Sequence, residues 1–210
     1  MSGTLFIIAA ASGTGKTSLV NTLCQQVENL NVSVSCTTRP GRPGEKDGTD
    51  YYFVNEATFT DMVAKGAFLE HETVFDYHYG TPRQWVEEQL ALGNDVILEI
   101  DWQGARDVRA LLPGNSISIF ILPPAFSVLE QRLRGRGQDD EGTIQRRMRD
   151  ALEEISHYAE FDYLVINDDF ENTVAELAKI IKSRRKGQVY KGPDLKHFVE
   201  ELMTEGSNIK

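Results

Sequence analysis

Thr4–Val20, TLFIIAAASGTGKTSLV, is the stretch from which the fold is read. Leu5–Ala9 is an unbroken apolar run containing β-branched residues, the pattern of a strand buried on both faces. Ser12-Gly13-Thr14-Gly15-Lys16-Thr17 is small and glycine-rich, and Leu19, Val20, Leu23 and Val27 then recur at helical spacing. Strand, glycine turn and helix form the setting of a phosphate-binding loop (P-loop). Gly13 and Gly15 can take backbone angles that a side chain penalises. Successive N–H groups can converge on one anion, and the helix that begins there adds its unpaired N–H groups and its dipole. Lys16 can reach a terminal phosphate, and the Thr17 hydroxyl can ligate Mg²⁺. The first glycine of the G-x-x-x-x-G-K-[ST] spacing falls on Ala10, which cannot adopt positive φ as cheaply. The competing reading is a plain glycine-rich βα turn, which has no need of Lys-Thr after the second glycine.

The 210 residues suffice for one sizeable core, or a core with an inserted subdomain. The apolar fraction of 40% and the 9% aromatics are those of a globular protein. Lys+Arg 22 against Asp+Glu 32 gives a net charge of −10, which argues against non-specific nucleic-acid or anionic-membrane binding. A phosphorylated small molecule is still allowed, because local arginines can reverse the field inside a cleft. Cys24 and Cys36 lie in apolar-patterned segments and read as buried free thiols, with neither a disulfide framework nor zinc spacing. No secretory signal and no membrane-length apolar run is visible, so the expected location is cytoplasmic.

Short strands are expected at Val32–Cys36 and Tyr51–Val54, separated by a Pro-, Gly- and charge-rich loop over 37–50. A helix follows from Asn55 or Glu56 to about Lys65, then strands at Ala67–Phe75 and Tyr77–Tyr79. Pro82 suits the first turn of a helix ending near Leu92. This strand-rich block interrupts a βα alternation that resumes with Asp95–Asp101. Thereafter helix and strand alternate: Gln103–Leu112, Ile117–Leu122, Phe126–Leu133, Asp139–His157, Tyr163–Ile166 and Glu171–Arg184. One amphipathic segment, Leu195–Met203, lies in the tail. The alternation predicts an α/β fold, a parallel sheet with helices on both faces and ligands at the carboxyl ends of its strands.

Two arginine-bearing regions and one acidic feature carry the chemistry. Arg39 and Arg42, in a Pro/Gly loop followed by Tyr51, can fork onto one phosphate with the phenol as a third donor. The alternative is a solvated basic turn before Glu45 and Asp47. Arg132 to Arg149, interrupted by Gly135 and Gly137, suggests a cap that brings positive charge onto a ligand. Its alternative is a helix pair laced with ion pairs, with Arg134, Arg146 and Arg149 the candidates for that role. Glu70, and Glu99 with Asp101 at the end of a buried strand, are acids of the kind that hold Mg²⁺ or a water. Asp101 can equally cap the following helix.

The segments SGTGKTSL, SVSCTTRPGRPGEKDGTDYYFV, FLEH, YHYGT, ILEIDWQGA, IFILPP, RLRGRGQD and VINDDF resemble the guanylate kinase family in its bacterial form, from about Thr4 to Ile181. TTRPGRPGEKDGTDYYFV is the specific part, since a P-loop alone indicates only an NTPase or kinase. The resemblance implies a P-loop NTPase-type core over 1–34, 85–123 and 151–186. It also implies a GMP-binding insert over 35–84, a helical LID over 124–150 and a tail over 187–210. It implies Mg²⁺-dependent transfer of the ATP γ-phosphate to GMP, in guanine nucleotide metabolism. By the same resemblance Arg39, Arg42, Tyr51 and Tyr79 hold the GMP phosphate. Ser35, Glu70 and Thr81 read guanine, and Asp101 lies near the GMP and the metal. The donor ATP falls to Ala10, Ala11, Ser12, Gly13, Thr14, Gly15, Lys16 and Thr17, with Asn167 and Asp168 near the adenine. Lys16, Arg132, Arg136 and Arg147 approach the transferring phosphates, and Thr17 serves the metal. The partners are then ATP and GMP, with neither nucleic acid nor membrane; a homo-oligomer is left open.

Two rivals are weighed. Asp101-Trp102-Gln103-Gly104 matches the D-x-x-G pattern of GTPases, yet the chain contains no Asn-Lys-x-Asp guanine reader. Guanylate-kinase-like modules of scaffold proteins hold phosphopeptides in the GMP site, but they typically lose the P-loop function, whereas Lys16, Thr17, Arg132, Arg136 and Arg147 are all here.

Overall fold

A computed structural model describes residues 3–74, 76–135, 137 and 140–207. The strands are β1 (Leu5–Ala10), β2 (Leu30–Val32), β3 (Cys36–Thr37), β4 (Tyr52–Phe53), β5 (Phe68–Val74), β6 (Tyr77–Pro82), β7 (Asp95–Glu99), β8 (Ser116–Leu122) and β9 (Tyr163–Ile166). The helices are α1 (Lys16–Gln26), α2 (Glu56–Ala64), α3 (Arg83–Ala91), α4 (Trp102–Leu111), α5 (Phe126–Gly135), α6 (Glu141–Ser156), α7 (Phe170–Arg185) and α8 (Lys196–Ser207). A five-stranded sheet has the order β2-β7-β1-β8-β9, and a four-stranded sheet the order β4-β3-β6-β5. The expected parallel sheet flanked by helices is therefore present, and the strand-rich block forms a sheet of its own. The chain divides into two compact units, Met1–Ile7 with Asn29–Ile117 and Ile8–Glu28 with Ser118–Lys210.

In the first unit β2 pairs parallel with β7, Asn31 opposite Val96. The acid opening β7 is structural: Asp95 is buried and its Oδ1 accepts the Thr4 N–H at 2.7 Å. The expected single strand Val32–Cys36 is in fact two. Ser33 still donates to Ile97 at 2.9 Å, but Cys36 pairs with Tyr52 and Gly80, so the chain passes from one sheet to the other between Val32 and Cys36. The second sheet is mixed, β3 parallel to β4 and β6 antiparallel to both β3 and β5. Gly80 is required there, because a Cβ would meet the Phe68 ring at 2.8 Å. Phe68 in turn stacks on Phe59 of α2, with centroids 4.7 Å apart. Asn55 caps α2 as expected, accepting the Thr58 N–H at 2.8 Å. Of the expected strand Ala67–Phe75, Phe68–Val74 is observed as β5, and Phe75 lies outside the described residues.

In the second unit β8 and β9 pair parallel, Phe120 opposite Leu164. The core there joins Ala9, Ala11, Phe120, Phe126, Leu129, Met148 and Ile155 with Val199 and Leu202 of α8. The amphipathic tail segment is thus built into a core. Gly206 lets α8 close on α5, where a Cβ would fall 2.6 Å from the Phe126 ring. The Glu205 carboxylate then accepts the Phe126 and Ser127 N–H groups, each at 3.1 Å, satisfying two of the unpaired donors at the start of α5. Burying this apolar face is what makes a twelve-residue helix stable, since such helices are marginal alone.

Candidate functional site

The phosphate loop lies in the second unit. Gly13 has φ +90° and Gly15 has φ +99°, angles that favour glycine. Space requires glycine as well: a Cβ on Gly13 would meet Leu133 at 2.9 Å, and one on Gly15 would meet Asn167 Nδ2 at 3.0 Å. Ala10 is the last residue of β1 and takes no positive φ, so the missing first glycine costs nothing in this loop. Gly15 is the N-cap of α1; no side chain caps the helix and its first turn holds no acid, which leaves its electropositive end suited to an anion.

Outward-facing groups of the loop are tied down by distant side chains. The Thr14 carbonyl accepts Asn167 Nδ2 at 2.7 Å and Arg132 Nη1 at 3.1 Å. Arg132 Nη2 also reaches the Asn167 carbonyl at 3.1 Å. The Ser12 N–H donates to the Glu154 carboxylate at 3.1 Å, and the Thr14 N–H to the Ala11 carbonyl at 3.1 Å. Lys16 opens α1, half-buried, and Thr17 beside it is exposed. Arg147 is half-buried on α6, and Asp168 is exposed beside Asn167. Arg136 lies outside the described residues. Arg134 pairs with Glu130 at 2.7 Å and with Glu141, and Arg146 approaches Asp150 at 3.9 Å, so both do the ion-pairing expected of them.

The second group of expected residues gathers in the first unit. Arg39 is 8% exposed. Its Nη2 pairs with Glu45 at 2.8 Å, its Nη1 donates to the Pro40 carbonyl at 2.7 Å, and its guanidinium lies 5.3 Å from the Tyr51 ring centroid. Arg39 is therefore buried, whereas Arg42 and most of the turn after it are exposed, as in the alternative reading. Glu45 also accepts the Arg42 N–H at 2.6 Å, so one carboxylate engages both arginine positions; desolvation works against this, yet the Arg39 bond holds Glu45 below the usual carboxylate range. Tyr51 and Tyr79 meet edge to face at 5.9 Å, and burial pushes the Tyr51 phenol up to about 12. The loop that carries Arg39 and Arg42 is stapled by its own acids, Asp47 accepting the Phe53 N–H at 2.9 Å and Asp50 that of Lys46 at 2.7 Å. Ser35 sits between β2 and β3, its carbonyl accepting the Tyr52 N–H at 2.9 Å.

Glu70 is 7% exposed and Thr81 fully buried, and the Thr81 hydroxyl donates to the Glu70 carboxylate. Burial, opposed by that hydrogen bond and aided by Asp101 and Glu72, pushes the Glu70 carboxyl up to about 7. Asp101 caps α4, accepting the Gly104 N–H at 2.9 Å, as one of its two sequence readings expects. A Cβ on Gly104 would fall 2.8 Å from Glu70 Oε2, so this glycine makes room for the carboxylate. The sequence reading missed the place of Gly104 beside Glu70, although the D-x-x-G spacing could have found it, and missed the pairing of Glu45 with the Arg39 guanidinium. Nothing in the sequence marks Glu154 as a partner of Ser12. A groove of 730 Å³ along β5 and α4 includes Glu70, Glu72, Arg83 and Asp107 in its wall, but of the expected site residues it carries Glu70 alone.

A buried parallel strand opening through a strained glycine turn into an uncapped helix defines a P-loop nucleotide-binding protein of the α/β class. The guanylate kinase family model matches residues 2–184. The chain is 55% identical to the guanylate kinase of Nitrosococcus oceani over 203 residues, 97% of this chain and 100% of that one. It is 50% identical to that of Coxiella burnetii over 199 residues, 95% and 96% of the two chains. The crystal structure of guanylate kinase from Anaplasma phagocytophilum matches with a TM-score of 0.73 at 34% identity, covering 87% and 86% of the two chains. The chain belongs to the guanylate kinase family.

Proposed function

We propose that this chain transfers the γ-phosphoryl group of ATP to GMP, giving ADP and GDP. The observation that carries the reading is the pairing of a buried acceptor with a buried cation in the first unit: Glu70, bonded to Thr81, and Arg39, flanked by Tyr51 and already holding an anion, Glu45. Guanine presents N1–H and its 2-amino group as adjacent donors, which a carboxylate accepts together. Adenine presents a lone pair at N1 and is repelled. Sites built on such polar pairing discriminate by roughly 10⁴–10⁵. Ser35, Glu70 and Thr81 read the base, Arg39, Arg42, Tyr51 and Tyr79 hold the phosphate, and Asp101 orders the start of α4 beside Glu70.

The loop Ala10–Thr17 takes the donor triphosphate, with Lys16, Arg132 and Arg147 neutralising charge that develops on the transferring group. Arg136 belongs to this set by family resemblance and lies outside the described residues. Asn167 and Asp168 border the donor. The acceptor is a phosphate oxygen already ionised near neutral pH, so the chain needs no general base; it needs two anions aligned and water excluded. Thr17 would contribute to holding Mg²⁺, which would supply charge neutralisation for the donor phosphates. The exposed Thr17 hydroxyl is a hard oxygen donor of the kind that cation accepts. Free thiols at Cys24 and Cys36 suit a reducing compartment, consistent with a cytoplasmic enzyme. No helix among the described residues is long and apolar enough to cross a membrane.

A coupled ADP-release assay with GMP, AMP or buffer as acceptor tests the function. ADP formation that requires GMP supports it. Hydrolysis indifferent to the acceptor, or silence with every acceptor, contradicts it.

A further inference from the structure

Asn167 is 5% exposed and fixed at three points. Its N–H donates to the Leu122 carbonyl at 2.9 Å, its carbonyl accepts Arg132 Nη2 at 3.1 Å, and its side-chain amide donates to the Thr14 carbonyl at 2.7 Å. Arg132 Nη1 reaches the same Thr14 carbonyl at 3.1 Å. One buried amide and one guanidinium thus grip a single oxygen of the glycine turn. The Thr14–Gly15 peptide is trans, so its C=O and N–H point in opposite directions. Fixing the oxygen toward Asn167 turns the Gly15 N–H the other way, where it is available to an anion at the start of α1. The contact is close enough to depend on Gly15 having no side chain, since a Cβ would stand 3.0 Å from the amide nitrogen.

We propose that Asn167 is a positioning residue for the donor phosphates. Through the Thr14 carbonyl it presets the Gly15 N–H toward the triphosphate, and it does not read the adenine ring. One donor of its amide nitrogen is committed to the loop, and the exposed Asp168 spends one carboxylate oxygen on the Asp169 N–H at 2.6 Å and keeps the other. The proposal rests on the reading of Ala10–Thr17 as the donor site and concerns how that site is held in shape.

Asn167→Leu keeps the bulk of the side chain and deletes the donor, while Asn167→Ala deletes both. Steady-state kinetics with ATP and with ITP, at saturating GMP, separate the roles. The expected result is a KM increase of about five- to thirtyfold in both variants, by the same factor for ATP and ITP, with KM for GMP unchanged. A loss confined to ATP would mean that the amide reads the base and would overturn the proposal. So would an Asn167→Leu enzyme equal to wild type beside an impaired Asn167→Ala enzyme, which indicates packing alone. A rise in KM for GMP equal to that for ATP would also overturn it, as general damage to the fold. If the wild-type protein leaves GMP unphosphorylated while hydrolysing ATP or doing nothing, the functional reading fails and takes the proposal with it.

Discussion

In the proposed function acceptor choice turns on Glu70, and its ionisation should then be visible in the kinetics. The carboxylate form accepts the two guanine donors, and the carboxyl is pushed up to about 7 in the free protein. The expected outcome is that kcat/KM for GMP rises with pH through about 7. Glu70→Gln should remove that rise and lower kcat/KM for GMP by about a hundredfold or more, with KM for ATP nearly unchanged. An unchanged kcat/KM in the variant removes Glu70 from the site. The sign for stability is opposite. The folded carboxyl sits above its ordinary 4.5, so its stabilising contribution is complete below that pH and is lost as pH rises through about 7. Denaturation midpoints of the protein without nucleotide should therefore fall, relative to Glu70→Gln, between about pH 5 and about pH 8. Arg39 shows how far residue patterns reach. Two arginines in a Pro/Gly loop fit either a phosphate fork or a solvated turn. Only burial of the guanidinium, with Glu45 bound to it, separates the two, and that burial depends on Tyr51 and Phe53 packing from beyond the loop.

The elements were legible where the hydrophobic period was long and its ends were marked. The apolar strand β1, the Asn55 cap of α2 and the Asp101 cap of α4 follow from local sequence, because local hydrogen bonding decides them. The split of the run after Leu30 into β2 and β3 was not legible, since the choice of sheet depends on partners at Ile97, Tyr52 and Gly80. Neither was the seat of α8: amphipathicity shows that a helix has an apolar face, and gives no account of what it covers. That helix should contribute measurably through its end. Glu205 caps α5 from 79 residues away. Glu205→Ala should cost about 1–2 kcal/mol, lowering the melting temperature by roughly 3–6 °C. A melting temperature equal to that of wild type would mean that water satisfies the two N–H groups equally well.

Across the whole molecule the glycine loop lies in one compact unit and the Arg39–Glu70 cluster in the other, so the proposed donor and acceptor tasks fall to different parts of the chain. They should be separable by mutation. Lys16→Met removes the cation of the glycine loop, which belongs to a different unit from the Arg39–Tyr51 cluster. It should reduce phosphoryl transfer by several orders of magnitude while calorimetric affinity for GMP changes less than about twofold. Equal loss of GMP affinity would show that the two sites are not independent. The division also explains what the sequence could and could not disclose. Each proposed site includes a short segment with its own marker, SGTGKT and TTRPGRPGEKDGTDYYFV. The supports of those segments come from far along the chain, as Asn167 does for Thr14 across 153 residues. The most direct measurement of the central claim is to follow ATP labelled at the γ-phosphorus through one round of reaction with GMP and Mg²⁺. Direct transfer requires the label to appear in GDP in step with the ADP formed. Label released as inorganic phosphate, or passed to AMP as readily as to GMP, would contradict it.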